Sequence, residues 1–315
     1  MYYIGVDLGG TGIKIGVVDE KGTIIEKDSC PTRVKDGYKE IVKDMSQVIN
    51  SLKAKLNISD DEIHSIGIGS PGAIDDKNGV VIFSGNLEFD YVPLAEEMKK
   101  YFDKPVYVGN DANCAALGEY FALNDDSIED FVAVTLGTGV GGGIIMNKKI
   151  FTGFNGMAGE IGHMGLVMNG EPCTCGKRGC WEAYASATAI IRETEKAARE
   201  YPDSYVAKLV EENGGKGSGK TAFIAQRAGD KIGDMVVKNY VQAVAEGIIN
   251  IVNAIQPQVV VIGGGVSKEG EGLINPVREY VEEYSFGPST VKKAELRLAT
   301  LGNDAGIIGA AFLGK

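Results

Sequence analysis

Two stretches of this chain, VDLGGTGIKIGVV from Val6 and VTLGTGVGGGIIM from Val134, follow one pattern. Each is a short apolar strand, a glycine-rich turn and a second apolar strand. A glycine hairpin that opens the chain and returns in its middle constrains the fold more than any other feature, because it points to one structural unit used twice. A doubly wound fold with a single nucleotide site leaves that repeat unexplained.

Around the two hairpins the pattern alternates between strands and helices. The first 30 residues predict an antiparallel meander of three strands joined by glycine-containing turns. Residues 38–56 carry apolar side chains at Ile41, Met45, Val48, Ile49 and Leu52, the spacing of one helical face. IHSIGIGSPGAID predicts a buried strand entering a loop, LAEEMKKYF a helix, PVYVGND a strand and ANCAALGEYFAL another helix. After the second hairpin come long helices, the clearest over residues 233–255, then the strand VVVIGGG and an apolar terminal helix, AGIIGAAFLG. Hairpins mixed with βαβ units predict an α/β protein with mixed sheets. The expected division is a first lobe over residues 1–115, completed by the terminal helix 303–315, and a second over 116–302.

At 315 residues the chain suits two domains of moderate size, and 44% hydrophobic with 24% charged residues is a globular balance. Its formal net charge of -11 argues against a broad nucleic-acid or acidic-membrane surface. No apolar run is long enough to span a bilayer, and the first residues enter a strand pattern without a basic and apolar leader. A cytoplasmic protein is therefore expected.

Tight glycine turns present backbone N–H groups without side-chain obstruction, a nest suited to anionic oxygens. The first, DLGGTGIK, offers Gly9, Gly10, the Thr11 hydroxyl and the Lys14 cation, and the second offers Thr138 and Gly139. A third turn at Gly264 and Gly265 follows a buried strand and would let a purine or ribose approach. Asp7 is informative, since a carboxylate beside a phosphate cradle is repulsive unless Mg²⁺ lies between them. Residues 214–221, GGKGSGKT, satisfy the Walker A pattern as letters. That motif works only after a buried strand, and the segment before it is polar with a helical period, so a solvated loop between helices is expected.

Asn110 and Asp111 stand where a strand meets a helix, and a helix N-terminus favours an ionised carboxylate. Asp111 is thus a candidate general base, against the plainer reading that it caps the helix. Residues 163–184 gather three of the five cysteines and one of the two histidines. In a reducing compartment, His163, Cys173, Cys175 and Cys180 form a closed tetrahedral set for structural zinc. Cys30 and Cys114 lie outside the cluster and are expected as ordinary buried thiols.

Taken together, DLGGTGIKIGVV, LGTGVGGGII, GEIGHM, CTCGKRGCWE and IGGGVS resemble the ROK family of bacterial sugar kinases, over almost the whole chain and in order. The resemblance implies the actin-like ATPase (ribonuclease H-like) fold, with two lobes around a central cleft. It implies ATP with Mg²⁺ as donor, a sugar as acceptor and a homodimer. Glucose is the acceptor expected first, with fructose, N-acetylmannosamine and N-acetylglucosamine as alternatives, and a non-catalytic sugar sensor as a third reading. Family repressors carry an N-terminal helix-turn-helix, for which no room is expected ahead of a strand that begins at residue 2.

By the same resemblance Asp111 is the base and Asn110 orients the sugar. Asn86, Glu160, His163 and Glu182 ring its hydroxyls, and the loop around Gly72 closes one edge. His163 would then serve zinc through one ring nitrogen and a sugar hydroxyl through the other. Stripping zinc is expected to harm sugar recognition before nucleotide binding.

Overall fold

A computed structural model describes residues 1–288 and 290–315. The chain divides into two compact units: Met1–Glu129 with Gly143–Gly159 and Thr300–Lys315, and Asp130–Gly142 with Glu160–Ala299. The first unit thus extends past residue 115 to Glu129.

The meander forms as expected, with β1 (Tyr2–Leu8), β2 (Gly12–Asp19) and β3 (Ile24–Pro31). Helix α1 (Tyr38–Leu56) follows, then β4 (Ile63–Ser70). The segment read as a loop after β4 instead contains β5 (Ala73–Asp75), the first strand of a small sheet with β6 (Val80–Ser84) and β7 (Phe89–Val92). Helix α2 (Leu94–Lys99), strand β8 (Val106–Asn110) and helix α3 (Asp111–Ala122) follow. The main sheet has the order β3-β2-β1-β4-β8, antiparallel through the meander and parallel from β1 through β4 to β8.

The second hairpin opens a second sheet with β9 (Phe131–Leu136), β10 (Val140–Met146) and the short β11 (Lys149–Ile150). Five helices come next: α4 (Glu182–Ala185), α5 (Ala187–Glu200), α6 (Tyr205–Glu212), α7 (Thr221–Arg227) and α8 (Lys231–Ile255). Strand β12 (Val259–Gly263), helix α9 (Glu271–Tyr284), strand β13 (Glu295–Leu298) and helix α10 (Ala305–Ala311) end the chain. This sheet has the order β11-β10-β9-β12-β13, parallel from β9 through β12 to β13. Both sheets therefore run third, second, first, fourth, fifth in chain order. The repeated hairpin is the visible part of a repeated sheet.

In the first unit, Ile41, Met45, Ile49 and Leu52 of α1 join Ile4, Val6, Ile13, Ile15, Ile66 and Ile68 in one buried core. Side chains alternate along a strand, so the opposite face carries the residues between them. There Gly5 stands opposite both Gly16 and Gly67, a row of glycines across three strands. Helix α10 lies in this trough. A Cβ on Gly5 would fall 1.9 Å from the Ile307 carbonyl oxygen, and one on Gly67 1.7 Å from that of Ala310. Gly118 of α3 and Gly309 of α10 close the other side, each with backbone of the facing helix where a Cβ would stand. The buried Glu119 carboxylate accepts the Thr300 and Leu301 N–H groups, both at 2.9 Å, and so fixes the entry to this segment.

In the second unit Trp181 is fully buried against α8, where Gly247 leaves the room: a Cβ there would be 1.9 Å from the indole. Its Nε1–H donates to the Ala243 carbonyl at 2.8 Å. The Walker-like segment joins α6 to α7 with no strand before it, as the polar approach predicts. Among the described residues no helix is long and apolar enough to cross a membrane.

Candidate active site and metal centre

The functional candidates of the first unit collect at the carboxyl ends of its parallel strands, where open α/β sheets bind ligands. Asp7 on β1 pairs in register with Gly69 on β4, and Ser70 pairs with Asn110 on β8. The turn after β1 is tight, with Gly9 N–H donating to the Gly12 carbonyl at 3.0 Å. Asp7 and Lys14 are cross-strand partners, and the ammonium lies 3.2 Å from the carboxylate. Both face a cavity of about 860 Å³ that Gly9 and Thr11 also line. Gly306 at the start of α10 passes against the Asp7 carboxyl group, where a Cβ would lie 3.2 Å from its carbon. Gly10 touches Asn86, with 3.4 Å from a built Cβ to that of the asparagine.

The structure divides the dipeptide at the head of α3 into two roles. Asn110 is the N-cap: its Oδ1 accepts from Ala112 N–H at 2.9 Å and from Asn113 N–H at 3.2 Å. Asp111 is the first helical residue, and its Oδ1 also accepts from Ala112 N–H at 2.9 Å. The plain reading of Asp111 as the cap is therefore replaced, because the residue before it does that work. Asn110 Nδ2 donates to the Gly72 carbonyl at 3.2 Å. Gly72 has φ 110, and a Cβ there would strike the Phe83 carbonyl at 2.1 Å, so glycine is required and the loop is held beside Asn110.

In the second unit the turn after β9 and the turn after β12 adjoin. Gly264, at φ 90, rests against the backbone of Leu136, with 2.5 Å from a built Cβ to its carbonyl oxygen.

His163, Cys173, Cys175 and Cys180 converge, with their ligand atoms all within 4.8 Å of one another. His163 Nδ1 is 3.6 Å from Cys173 Sγ, and Cys175 Sγ is 3.7 Å from Cys180 Sγ. Zinc–sulfur bonds of about 2.3 Å give a tetrahedron with edges of roughly 3.8 Å, and these two separations match it, so the donor set suits zinc. Burial, and then hydrogen bonding with Cys175, pushes the Cys180 thiol up to about 12. A thiolate at that place calls for a cation. The other nitrogen of His163, Nε2, faces Glu160 Oε2 at 3.9 Å, so the two edges of the ring look toward different chemistry. Of the two remaining thiols, Cys114 is buried and its pKa is raised by that burial, whereas Cys30 on β3 is only partly buried.

One connection went unread in the sequence. Glu182, placed by resemblance among the sugar residues, also reaches the second glycine turn, its Oε2 accepting the Val140 N–H at 3.0 Å. Its Oε1 accepts from the Thr174 hydroxyl at 3.3 Å, on the cysteine loop. The only hint was the bare glycine at 139, which gave no sign of what fills its missing side chain.

Both sheets with their shared strand order, and ligand candidates at the strand ends of each, define an α/β protein of the actin-like ATPase fold. The ROK family model matches residues 3–315, and the chain belongs to the ROK family. It is 39% identical over 315 residues to a glucokinase of Halalkalibacterium halodurans, covering all of this chain and 95% of that one. It is 40% identical to a glucokinase of Thermotoga maritima, over 99% of this chain and 96% of the relative. A crystal structure of a ROK family glucokinase from Streptomyces griseus, in complex with glucose and AMPPNP, superposes with a TM-score of 0.79 at 34% identity, covering 99% of each chain.

Proposed function

We propose that this chain is an ATP-dependent sugar kinase that phosphorylates glucose, giving glucose 6-phosphate and ADP. The observation that carries the reading is the head of α3. A neighbouring asparagine caps the helix and is tied to a glycine loop at the end of a parallel strand, so a carboxylate stands on the helix's first turn. Phosphoryl transfer asks the protein for position, charge neutralisation and a proton acceptor. Asp111 accepts the proton of the attacking hydroxyl as its oxygen bonds to the γ-phosphorus and the bond to the β-phosphate oxygen breaks. Asn110, Gly72 and Asn86 of the first unit, and Glu160, His163 and Glu182 of the second, are the acceptors and donors assigned to the sugar's hydroxyls, which require such partners once buried.

On the donor side the turns at Gly9–Gly10–Thr11 and Thr138–Gly139 present backbone N–H groups to phosphate, with Gly264 and Gly265 beside the nucleoside. Lys14 adds the local cation that an acidic chain must supply. Asp7 is the residue that would hold Mg²⁺, which would supply charge neutralisation for the phosphates. The thiolates and His163 would hold zinc, which closes the loop structurally because all four positions are filled. A homodimer is what the resemblance implies, in the cytoplasmic setting expected from the sequence, and sedimentation tests the dimer.

A coupled ADP-release assay across hexoses and N-acetylhexosamines tests the reading. Turnover with glucose above the other sugars is expected. No turnover with any of them would refute a kinase, and preference for an acetylated sugar would refute glucose.

A further inference from the structure

The Glu182 carboxylate faces two ways. Oε2 takes the N–H of Val140, the first residue of β10, while Oε1 takes the Thr174 hydroxyl and, at 3.5 Å, the Cys173 thiol. Gly139 is where the carboxylate passes under the turn, since a Cβ there would lie 2.1 Å from Oε2. The residues that follow Glu182 grip the same turn. Ala187 N–H donates to the Gly137 carbonyl and Thr188 Oγ1 to the Thr138 carbonyl, both at 2.8 Å. Every attachment of the 137–139 turn named here thus comes from the segment that begins two residues beyond Cys180.

We infer that Glu182 is a positioning residue for the phosphoryl donor: it sets the 137–139 turn and transmits the order of the cysteine loop to nucleotide affinity. This rests on the reading of that turn as part of the donor cradle. A glycine turn pays heavily in conformational freedom and aims its N–H groups at phosphate only if something holds it. Hydrogen bonds to an ionised acceptor are the strong kind, and this one joins the turn to the loop directly. A Glu182 that served sugar hydroxyls alone would leave nucleotide binding untouched.

Gly139→Ala offers a perturbation independent of Glu182 itself. Gly139 is not among the residues with positive φ, so alanine suits its backbone, and the atoms in its way are the far end of the Glu182 side chain. The methyl group displaces the carboxylate and breaks its bond to Val140. The experiment titrates AMPPNP calorimetrically, without sugar, into the full chain and into Glu182→Ala, Gly139→Ala and the double variant, after thermal melts of each. Each single variant is expected to weaken AMPPNP about tenfold, and the double variant no more than the singles, because the turn loses one anchor either way. Glu182→Gln keeps an oxygen for Val140 and an N–H group for Thr174, and is expected to bind AMPPNP within about threefold of the parent. It carries the test with Gly139→Ala if Glu182→Ala does not fold.

Unchanged affinity in Glu182→Ala or in Gly139→Ala, or losses that multiply in the double variant, would overturn the inference. Failure of the parent itself to bind AMPPNP would instead remove the donor-site reading beneath it.

Discussion

Replacing Asp111 by asparagine separates chemistry from architecture at the head of α3. The amide is nearly isosteric, and its oxygen can keep the 2.9 Å bond from Ala112 N–H. The cap is untouched, since Asn110 supplies it. What architecture loses is a negative charge on the first turn, about 0.3–1 kcal/mol. For a domain of this size that is a fall in Tm of no more than about 4 °C. What chemistry loses is the proton acceptor, about 10²–10⁴ in rate, or roughly 3–5 kcal/mol at about 1.4 kcal/mol per tenfold. The two losses differ enough to be told apart in one set of samples. Coupled ADP release gives kcat, calorimetry with glucose gives sugar affinity, and a melt gives stability. The expected result is kcat down at least a hundredfold, with sugar affinity and Tm close to the parent. A kcat within tenfold of the parent would refute Asp111 as the base, and a rate loss matched by a collapse of Tm would mean the helix had failed.

The neighbouring change behaves differently: Asn110→Ala removes both capping bonds and the tie to Gly72, and should cost about 1–2 kcal/mol in denaturant titration as well as sugar affinity. Gly67→Ala sets a methyl group against the Ala310 carbonyl, and chemical denaturation should show a loss of about 1–3 kcal/mol, with α10 the segment that opens. Metal analysis should find one zinc per chain, and chelation should lower Tm. Because Glu182 and the residues after it grip the 137–139 turn, chelation should weaken AMPPNP and glucose together, which revises the order of loss expected from sequence. Lys220→Ala should leave AMPPNP affinity within about twofold, since its loop joins two helices and lacks the strand that a phosphate loop needs.

What could be read in the sequence was whatever a short stretch of chain decides by itself. The two hairpins were legible because strand alternation and glycine turns are local, and α1 because its apolar spacing is. The cysteine cluster was legible because three of its four ligands lie within eight residues of one another. The slot for α10 was not, because Gly5, Gly16 and Gly67 become neighbours only through strand register. Nor was the choice of cap at α3, which turns on one position in a boundary that pattern reading leaves uncertain by several residues. The strand β5 hid behind SPG, whose glycine and proline signal a loop. Glu182 could be assigned a sugar by resemblance, but its second partner, Val140, is 42 residues away in sequence.

The trough that receives α10 also sets an order of events during synthesis. Strands β1 and β2 are made long before the residues near 307 that cover the face of their sheet carrying Gly5 and Gly16. Until then that glycine face has no lid and the Glu119 carboxylate has no Thr300 to hold. The nascent chain must therefore carry an unfinished first unit through the making of the whole second one. A stop codon just before α10 would spare every residue assigned to sugar and phosphate, and still leave the glycine face of β1 and β2 open to chaperones and proteases.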